Sequence, residues 1–363
     1  MTQGPDEREI ILSGGSGGLG AAVAEEGAAG LGGVDAVRAR GYWELVWIRF
    51  KRDKVAVLSG IFIVFLILVA FVGAPVAKHY IGHGAEEIFS LTQAAPAETG
   101  LPANPMTWVT YEKPIDKPPY LQKHRDLFIL GAANLLGQDE FMRLLYGARV
   151  SLEVAGLSTI GVMILGVLLG SIAGYFRGWI DTIISRITEV TMAFPVLLFI
   201  IAVAATVGPQ LDSITLGVFP KGVITLVLIF SIFGWFYPAR IMRAQVLSIR
   251  EKEYVEAARM IGASDFRIIR SHVLPHLVAP IIVYSTLIIA QYVLAEAGLS
   301  FLGLGIKQPT ASWGNLLADA PNYYLARPLL MVWPGLAVLL TTLAFNLLGD
   351  GLRDAFDPRA SHR

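Results

Sequence analysis

The sequence predicts an all-α integral membrane protein with six transmembrane helices and both termini cytoplasmic. Three observations carry that expectation. Mean hydropathy is +0.58 and charged residues make up only 16% of 363, which is not a soluble composition. Apolar stretches recur at lengths that meet the roughly 20 residues a helix needs to cross the hydrocarbon core. Cations gather in alternate connections, and Lys and Arg resist translocation. Lys plus Arg and Asp plus Glu both number 29, so net charge is zero and no nucleic-acid footprint is expected. There is no cysteine, which excludes disulfides, thiolate metal sites and cysteine nucleophiles.

Residues 1–37 are rich in Gly, Ala and Glu without a sustained apolar period, and read as a flexible cytoplasmic tail. Gly15, Gly17 and Gly20 match a dinucleotide fingerprint, and Asp35 is roughly placed for it. No second strand follows, so the flexible linker is the better reading. Residues 38–54 are basic and aromatic, with Tyr42, Trp43, Trp47 and Phe50, and predict an interfacial helix against lipid. Residues 55–77 carry no charge and form the first, uncleaved span. Residues 78–149 are punctuated by Pro96, Pro102, Pro105, Pro114, Pro118 and Pro119, and predict a long extracytoplasmic loop, partly ordered at best. His79 and His83 are four apart, but Gly82 and Gly84 oppose the helix a metal pair needs.

Five further spans are expected at Val154–Phe176, Val190–Leu211, Gly222–Ala239, Leu277–Ile306 and Pro328–Gly349. Arg177 and Arg186 flank a short inside turn. Arg353, Arg359 and Arg363 mark a cytoplasmic tail over 350–363. The opposite connections hold only Lys221, Lys307 and Arg327. Gly156, Gly161, Gly166, Gly170 and Gly174 recur along the second span, where small residues let backbones approach. Pro195, Pro238 and Pro334 invite kinks.

The long polar segment 240–275 sits inside this apolar half and carries seven cations, Arg240, Arg243, Arg250, Lys252, Arg259, Arg267 and Arg270. Its pattern is helix, break, helix. Helix formers over Glu253–Ile261 place Tyr254, Ala257, Ala258 and Ile261 near one face. Gly262 suits a left-handed cap. Ser264 and Asp265 suit the start of a second short helix that Pro275 closes.

Glu256-Ala257-Ala258, then Gly262, then Leu274-Pro275 at this spacing resembles the EAA loop of ABC-importer permeases, with His272 where an apolar branched residue is common. Tyr146-Gly-Ala-Arg-Val-Ser-Leu152, Glu296-Ala-Gly-Leu-Ser300 with Gly303 and Gly305, Ser312-Trp-Gly-Asn315 and Leu348-Gly-Asp-Gly-Leu-Arg-Asp354 resemble the dipeptide and oligopeptide branch of that family. The resemblance implies a type I, MetI-like permease core over 150–349 in a bacterial cytoplasmic membrane. It implies that Glu256, Ala257, Ala258, Gly262, Leu274 and Pro275 couple to a cytosolic ATPase. It implies a homologous second permease subunit in a heterodimer, two ATPase subunits that bind ATP and Mg, and an extracytoplasmic binding protein, with membrane lipids around the core and peptide as cargo. Two departures fall on the face such a binding protein would meet. The branch's Gly-Arg-Asp step is missing around Gly137-Gln-Asp139, and the first outer loop is long.

The chain itself shows no P-loop and no H-E-x-x-H, so it is expected to hold no cofactor and catalyse no reaction. Leu347 stands where an intramembrane aspartyl protease would need Gly ahead of Gly349 and Asp350. Glu296 is the one acidic residue deep in a span. Burying it is costly unless it is paired or wet. It serves either as a path or gate residue, or as a packing residue bonded to backbone or to Gln291. Glu189 is expected to snorkel to the interface or to pair with Arg186. The alternative to an importer subunit is an ion-coupled secondary transporter using Glu296.

Overall fold

A computed structural model describes residues 41–89, 100–115, 120–214, 220 and 222–357. The expectations for 1–37, for Pro96, Pro118, Pro119 and Lys221, and for Arg359 and Arg363 lie outside the described residues. The chain divides into two compact units, Met1–Leu45 and Val46–Arg363. Of the first, the described part is the opening of helix α1, Tyr42–Arg52.

Helix α1 ends in Arg49, Lys51 and Arg52, cations that suit a helix C-terminus. Lys51 lies 5.0 Å over the Trp47 ring. Asp53 then breaks the chain and caps α2, its carboxylate accepting from the amides of Val55 and Ala56. Helix α2 covers Lys54–Ile81, with one π turn at Val69–Gly73, and ends at Gly82 in the left-handed region.

The following loop corrects the all-α expectation. Strands β1, Thr107–Ile115, and β2, Tyr120–Phe128, form an antiparallel hairpin running from Thr107↔Phe128 to Ile115↔Tyr120. Thr107-Trp-Val-Thr-Tyr111 alternates in the strand period, and its β-branched and aromatic residues favour a pleated surface. Val109, Tyr111 and Phe128 close a small core with Phe89, Ala103 and Ala132.

Helix α3 runs Glu140–Phe176, beginning well before the expected Val154. Asp139 starts it by accepting from the Phe141 and Met142 amides. Its polar first turns are buried rather than solvated, which is why composition alone reads them as loop. The glycine stripe meets the later helix Phe236–Arg250 closely. A Cβ on Gly166 would lie 2.6 Å from Pro238, on Gly170 2.5 Å from the Ala239 carbonyl, and on Gly174 2.8 Å from the Arg243 carbonyl. Gly156 faces open space and takes no part.

The turn expected around Arg177 and Arg186 is instead helix α4, Gly178–Ala193. It meets α5, Val196–Ile214, at an 85° bend beside Pro195. Arg186 pairs with Glu189 at 2.8 Å, as expected. Helices α6, Val223–Gly234, and α7, Phe236–Arg250, meet at a 42° bend. Pro238 withholds the amide that the Gly234 carbonyl would accept, which places the break there. Pro334 lies within an unbroken helix. Helix α8 is Glu253–Met260, and α9 is Asp265–Phe301.

Pro275 does not end a short helix. The chain passes it through a π turn at Ile269–Val273, where the Leu274 amide reaches the Ile269 carbonyl, and continues to Phe301. The polar segment 240–275 is therefore mostly helix extension, and its loop proper is 251–264. Helix α10, Trp313–Asp319, and helix α11, Leu329–Phe356, complete the chain.

Among the described residues, four helices are long and apolar enough to cross a membrane, or six if each bent pair is one span. Large apolar side chains stay exposed along α2, α3 and α11, for example Leu58, Ile61, Ile164 and Leu339. Such belts suit lipid rather than water. One end of the bundle carries the hairpin and residues 302–328; the other carries 251–264.

Candidate functional site

At the loop end, α8 is amphipathic on a register that differs from the expected one. Val255 and Ala258 are buried with Val246, Ile268 and Leu277, whereas Tyr254, Ala257 and Ile261 face out. Tyr254 packs beside His272 and His276, at 6.1 and 5.7 Å between ring centres. The helix stops in a two-bond cap. The Gly262 amide bonds the Arg259 carbonyl, and the Ala263 amide reaches back to Ala258, each at 3.0 Å. Gly262 has φ +82° with nothing near its missing side chain, so the left-handed turn is what requires glycine there. Glu256 and Ala257 are exposed, Leu274 is half-buried and Pro275 is exposed. Met260, Ile261 and Phe266 project at 82%, 86% and 73% exposure. This is an apolar knob on a basic loop. Arg243 grips Asp181 through two hydrogen bonds of 2.5 and 2.7 Å, and Arg177 pairs with Glu251.

The hairpin end is built differently. Glu296 is fully buried. Its two carboxylate oxygens accept from Ser151 and Ser300, both at 2.7 Å. Those hydroxyls in turn accept the Trp313 amide at 3.3 Å and the Ile306 amide at 3.0 Å. The Trp313 indole donates to the Leu144 carbonyl. Ser312 and Asn315 form a reciprocal capping box at the head of α10. Three separate motifs of the sequence, around Ser151, Glu296 to Ser300 and Ser312 to Asn315, thus converge on one carboxylate. Gln291 does not pair with it. Five residues apart on a helix is about 140° round the axis, and Gln291 is exposed.

Beside this knot lies Arg143, also fully buried. It donates to Gln138 at 2.7 Å, to the Pro309 carbonyl at 3.3 Å and to Asn315 at 3.4 Å. Asn134 links Gln138 to Asp319. His83 is sealed between Asp126 at 2.9 Å and Asp139 at 3.0 Å, and Tyr111 donates to Asp126. Burial pulls the His83 pKa down, but hydrogen bonds and charge from Asp139 and Asp126 outweigh it and hold it above the ordinary value. Among the described residues, no group of three or more His, Asp or Glu side chains is arranged to hold a metal ion. A cavity of about 610 Å³ opens next to these groups, lined by Lys78, Glu86, Tyr146, Arg149 and Glu153. Sequence reasoning missed Arg143 and His83 as structural centres. Ser151 and Asn315 stand inside motifs it did single out.

Two family models match. Residues 166–362 match the binding-protein-dependent transport system inner membrane component, and residues 41–93 match the N-terminal transmembrane domain of oligopeptide transport permease C. The chain is 36% identical to the glutathione transport system permease protein GsiD of Pectobacterium atrosepticum, over 87% of this chain and 91% of that protein. It is 42% identical to the dipeptide transport system permease protein DppC of Alkalihalophilus pseudofirmus, over 61% and 69%. It is 35% identical to the DppC of Bacillus subtilis, over 88% and 86%. Among solved structures, an inward-facing MetNI methionine ABC transporter chain aligns with TM-score 0.48 and 17% identity, over 59% of this chain and 96% of that one.

Proposed function

The chain belongs to the binding-protein-dependent transport system inner membrane components, and on that premise we propose that it is one permease subunit of an ATP-driven importer of di- or oligopeptides. The relatives named for dipeptide and glutathione transport support the cargo class. In this reading the loop end faces the cytoplasm of a bacterial cell and the hairpin end faces outward. A homologous permease subunit completes the path as a heterodimer. Two ATPase subunits, holding ATP and Mg, grip the loop, and a binding protein delivers cargo at the hairpin end. The chain hydrolyses nothing itself.

One observation carries the coupling role. Met260, Ile261 and Phe266 are exposed at the tip of a capped, basic helical loop whose other face is anchored in the bundle. A docked ATPase would cover them. Glu256, Ala257, Ala258, Gly262, Leu274 and Pro275 then form or support the grip, Ala258 by packing inward. Closure of the motor pushes on α8 and shifts the bundle between two access states, each favoured by different ligands. Glu296 fastens residues 302–316 to α3 and α9, while exposed Gln291 is the member of that pair available to the path. The ion-coupled alternative has no support in a carboxylate already bonded on both oxygens.

Affinity purification of the membrane-embedded complex tests the proposal. Wild type brings down its ATPase subunits. Gly262→Leu and Glu256→Lys stay in the membrane and bring down little. Full recovery of ATPase with both variants would contradict the coupling role. The ligand that co-purifies with the binding protein tests the cargo; a sugar there would overturn the peptide assignment.

A further inference from the structure

The loop end holds a junction that the motor's grip does not by itself explain. Tyr175 stands one residue before the end of α3 and is only 3% exposed. Its hydroxyl donates to Asp265, the first residue of α9, at 2.6 Å. The same oxygen accepts from Arg259 of α8 at 3.5 Å. The Arg259 guanidinium lies 5.8 Å from the ring centre, and that of Arg250, the last residue of α7, lies 5.7 Å from it. One Arg250 nitrogen is buried without a hydrogen-bond partner, and the ring face is one of the groups set against that charge. Both sides of the Gly262 turn, and the end of α7, therefore meet on one side chain of α3.

We propose that Tyr175 is a positioning residue that transmits movement of the 251–265 loop to α3. This rests on the reading of that loop as the motor's grip. The physical case is one of stiffness. The α3 backbone is locked to α7 by close approach at Gly166, Gly170 and Gly174, so the two helices move as one body. Around the loop, the Arg177–Glu251 pair is exposed on both sides, and such pairs hold weakly. At the Tyr175 junction the ring is buried although Asp265 and Arg259 are exposed, and it combines a hydrogen bond to a carboxylate with two cation contacts. A push on α8 reaches Arg259 and Asp265 first, and through them Tyr175. Without the ring, α8 still presents its exposed tip, but the loop can yield without moving α3.

The test uses the intact transporter in nanodiscs, with Mg·ATP and vanadate as the only ligands. The chain has no cysteine, so Glu253→Cys and Leu168→Cys, both exposed, carry a spin-label pair spanning loop and α3. In the wild-type background the label distance is the same before and after trapping, because the two segments travel together. In Tyr175→Ala, hydrolysis persists while trapping shifts or broadens that distance. Tyr175→Phe keeps the ring and loses the hydroxyl bonds, and gives a smaller shift. If Tyr175→Ala does not assemble, Tyr175→Phe decides alone. An unchanged distance in the variant that assembles overturns the junction and leaves the permease reading intact. A wild-type complex that hydrolyses no ATP overturns the permease reading, and the junction with it.

Discussion

The two ends of this bundle solve opposite problems. At the hairpin end, charged and polar groups are driven inside and mostly answered there: Glu296 by two serines, Arg143 by Gln138 and Asn315, His83 by two aspartates, with Arg143 Nε and one Glu140 oxygen left unpaired. At the loop end, apolar groups are driven outside, and Met260, Ile261 and Phe266 are left exposed among the described residues. Buried, satisfied polar networks fix geometry because every alternative leaves a group unpaired. Exposed apolar tips mark a surface that awaits a partner. On the proposed reading, one end holds its shape and the other is gripped by a partner. The difference predicts that damage to the first shows in stability, and damage to the second in assembly.

The largest stability effect is expected at Glu296. Glu296→Leu leaves two buried hydroxyls without their acceptor and loosens residues 302–316, which keep their Arg143 and Leu144 contacts to α3. A buried donor left without its acceptor costs about 1–3 kcal/mol, so a loss of roughly 3 kcal/mol follows for the two hydroxyls. The thermal unfolding midpoint in nanodiscs measures it, and an unchanged midpoint would break the comparison at its firmer end.

Gly262→Leu forces a side chain into the left-handed region, at about 1–2 kcal/mol. That cost falls on the loop, so the midpoint moves less than for Glu296→Leu even though ATPase recovery collapses. A midpoint shift as large as that of Glu296→Leu would erase the distinction between the ends.

The His83 junction sharpens the comparison through pH. Both ring nitrogens sit on carboxylates, of Asp126 and Asp139, with Tyr111 also on Asp126. The folded-state pKa is raised, so the stabilisation is complete below the unfolded value of about 6.5 and fades as pH rises through the higher folded value. Corrected for the intrinsic pH effect, hydrogen exchange over Thr107–Phe128 should quicken across that window and stay level in His83→Gln. Equal pH profiles for both proteins would remove the junction from the account.

The smallest effect separates the ends most cleanly. Met260→Ser changes an exposed side chain and should leave stability within about 0.5 kcal/mol, while weakening recovery of the ATPase. A destabilised but fully assembled variant would invert the expectation.

How much of this was legible in the sequence depended on distance along the chain. Apolar runs placed most spans, because bilayer thickness sets their length. The glycine stripe foretold a close helix contact but not its partner, since only small residues let backbones touch. Gly262 foretold its own turn. The start of α3 was hidden because Glu140 and Arg143 look like loop residues until their burial is seen. The hairpin was hidden behind prolines that sit around and at its edges. Pro275 looked terminal because a π turn is not visible in composition. Glu296 was singled out by its depth, but its partner Ser151 is 145 positions away, and the nearer Gln291 is on the wrong side of the helix. Tyr175 carried no signal at all, its acceptor Asp265 being 90 positions distant.

The central claim is that a separate motor grips the loop end from the cytoplasm. Ile261→Cys, in a chain with no other cysteine, reports on it directly through labelling by a membrane-impermeant maleimide. The account predicts labelling in inside-out vesicles stripped of ATPase, none in right-side-out vesicles, and protection when ATPase subunits are added back. Labelling from the outer face, or no protection by the added subunits, would contradict it.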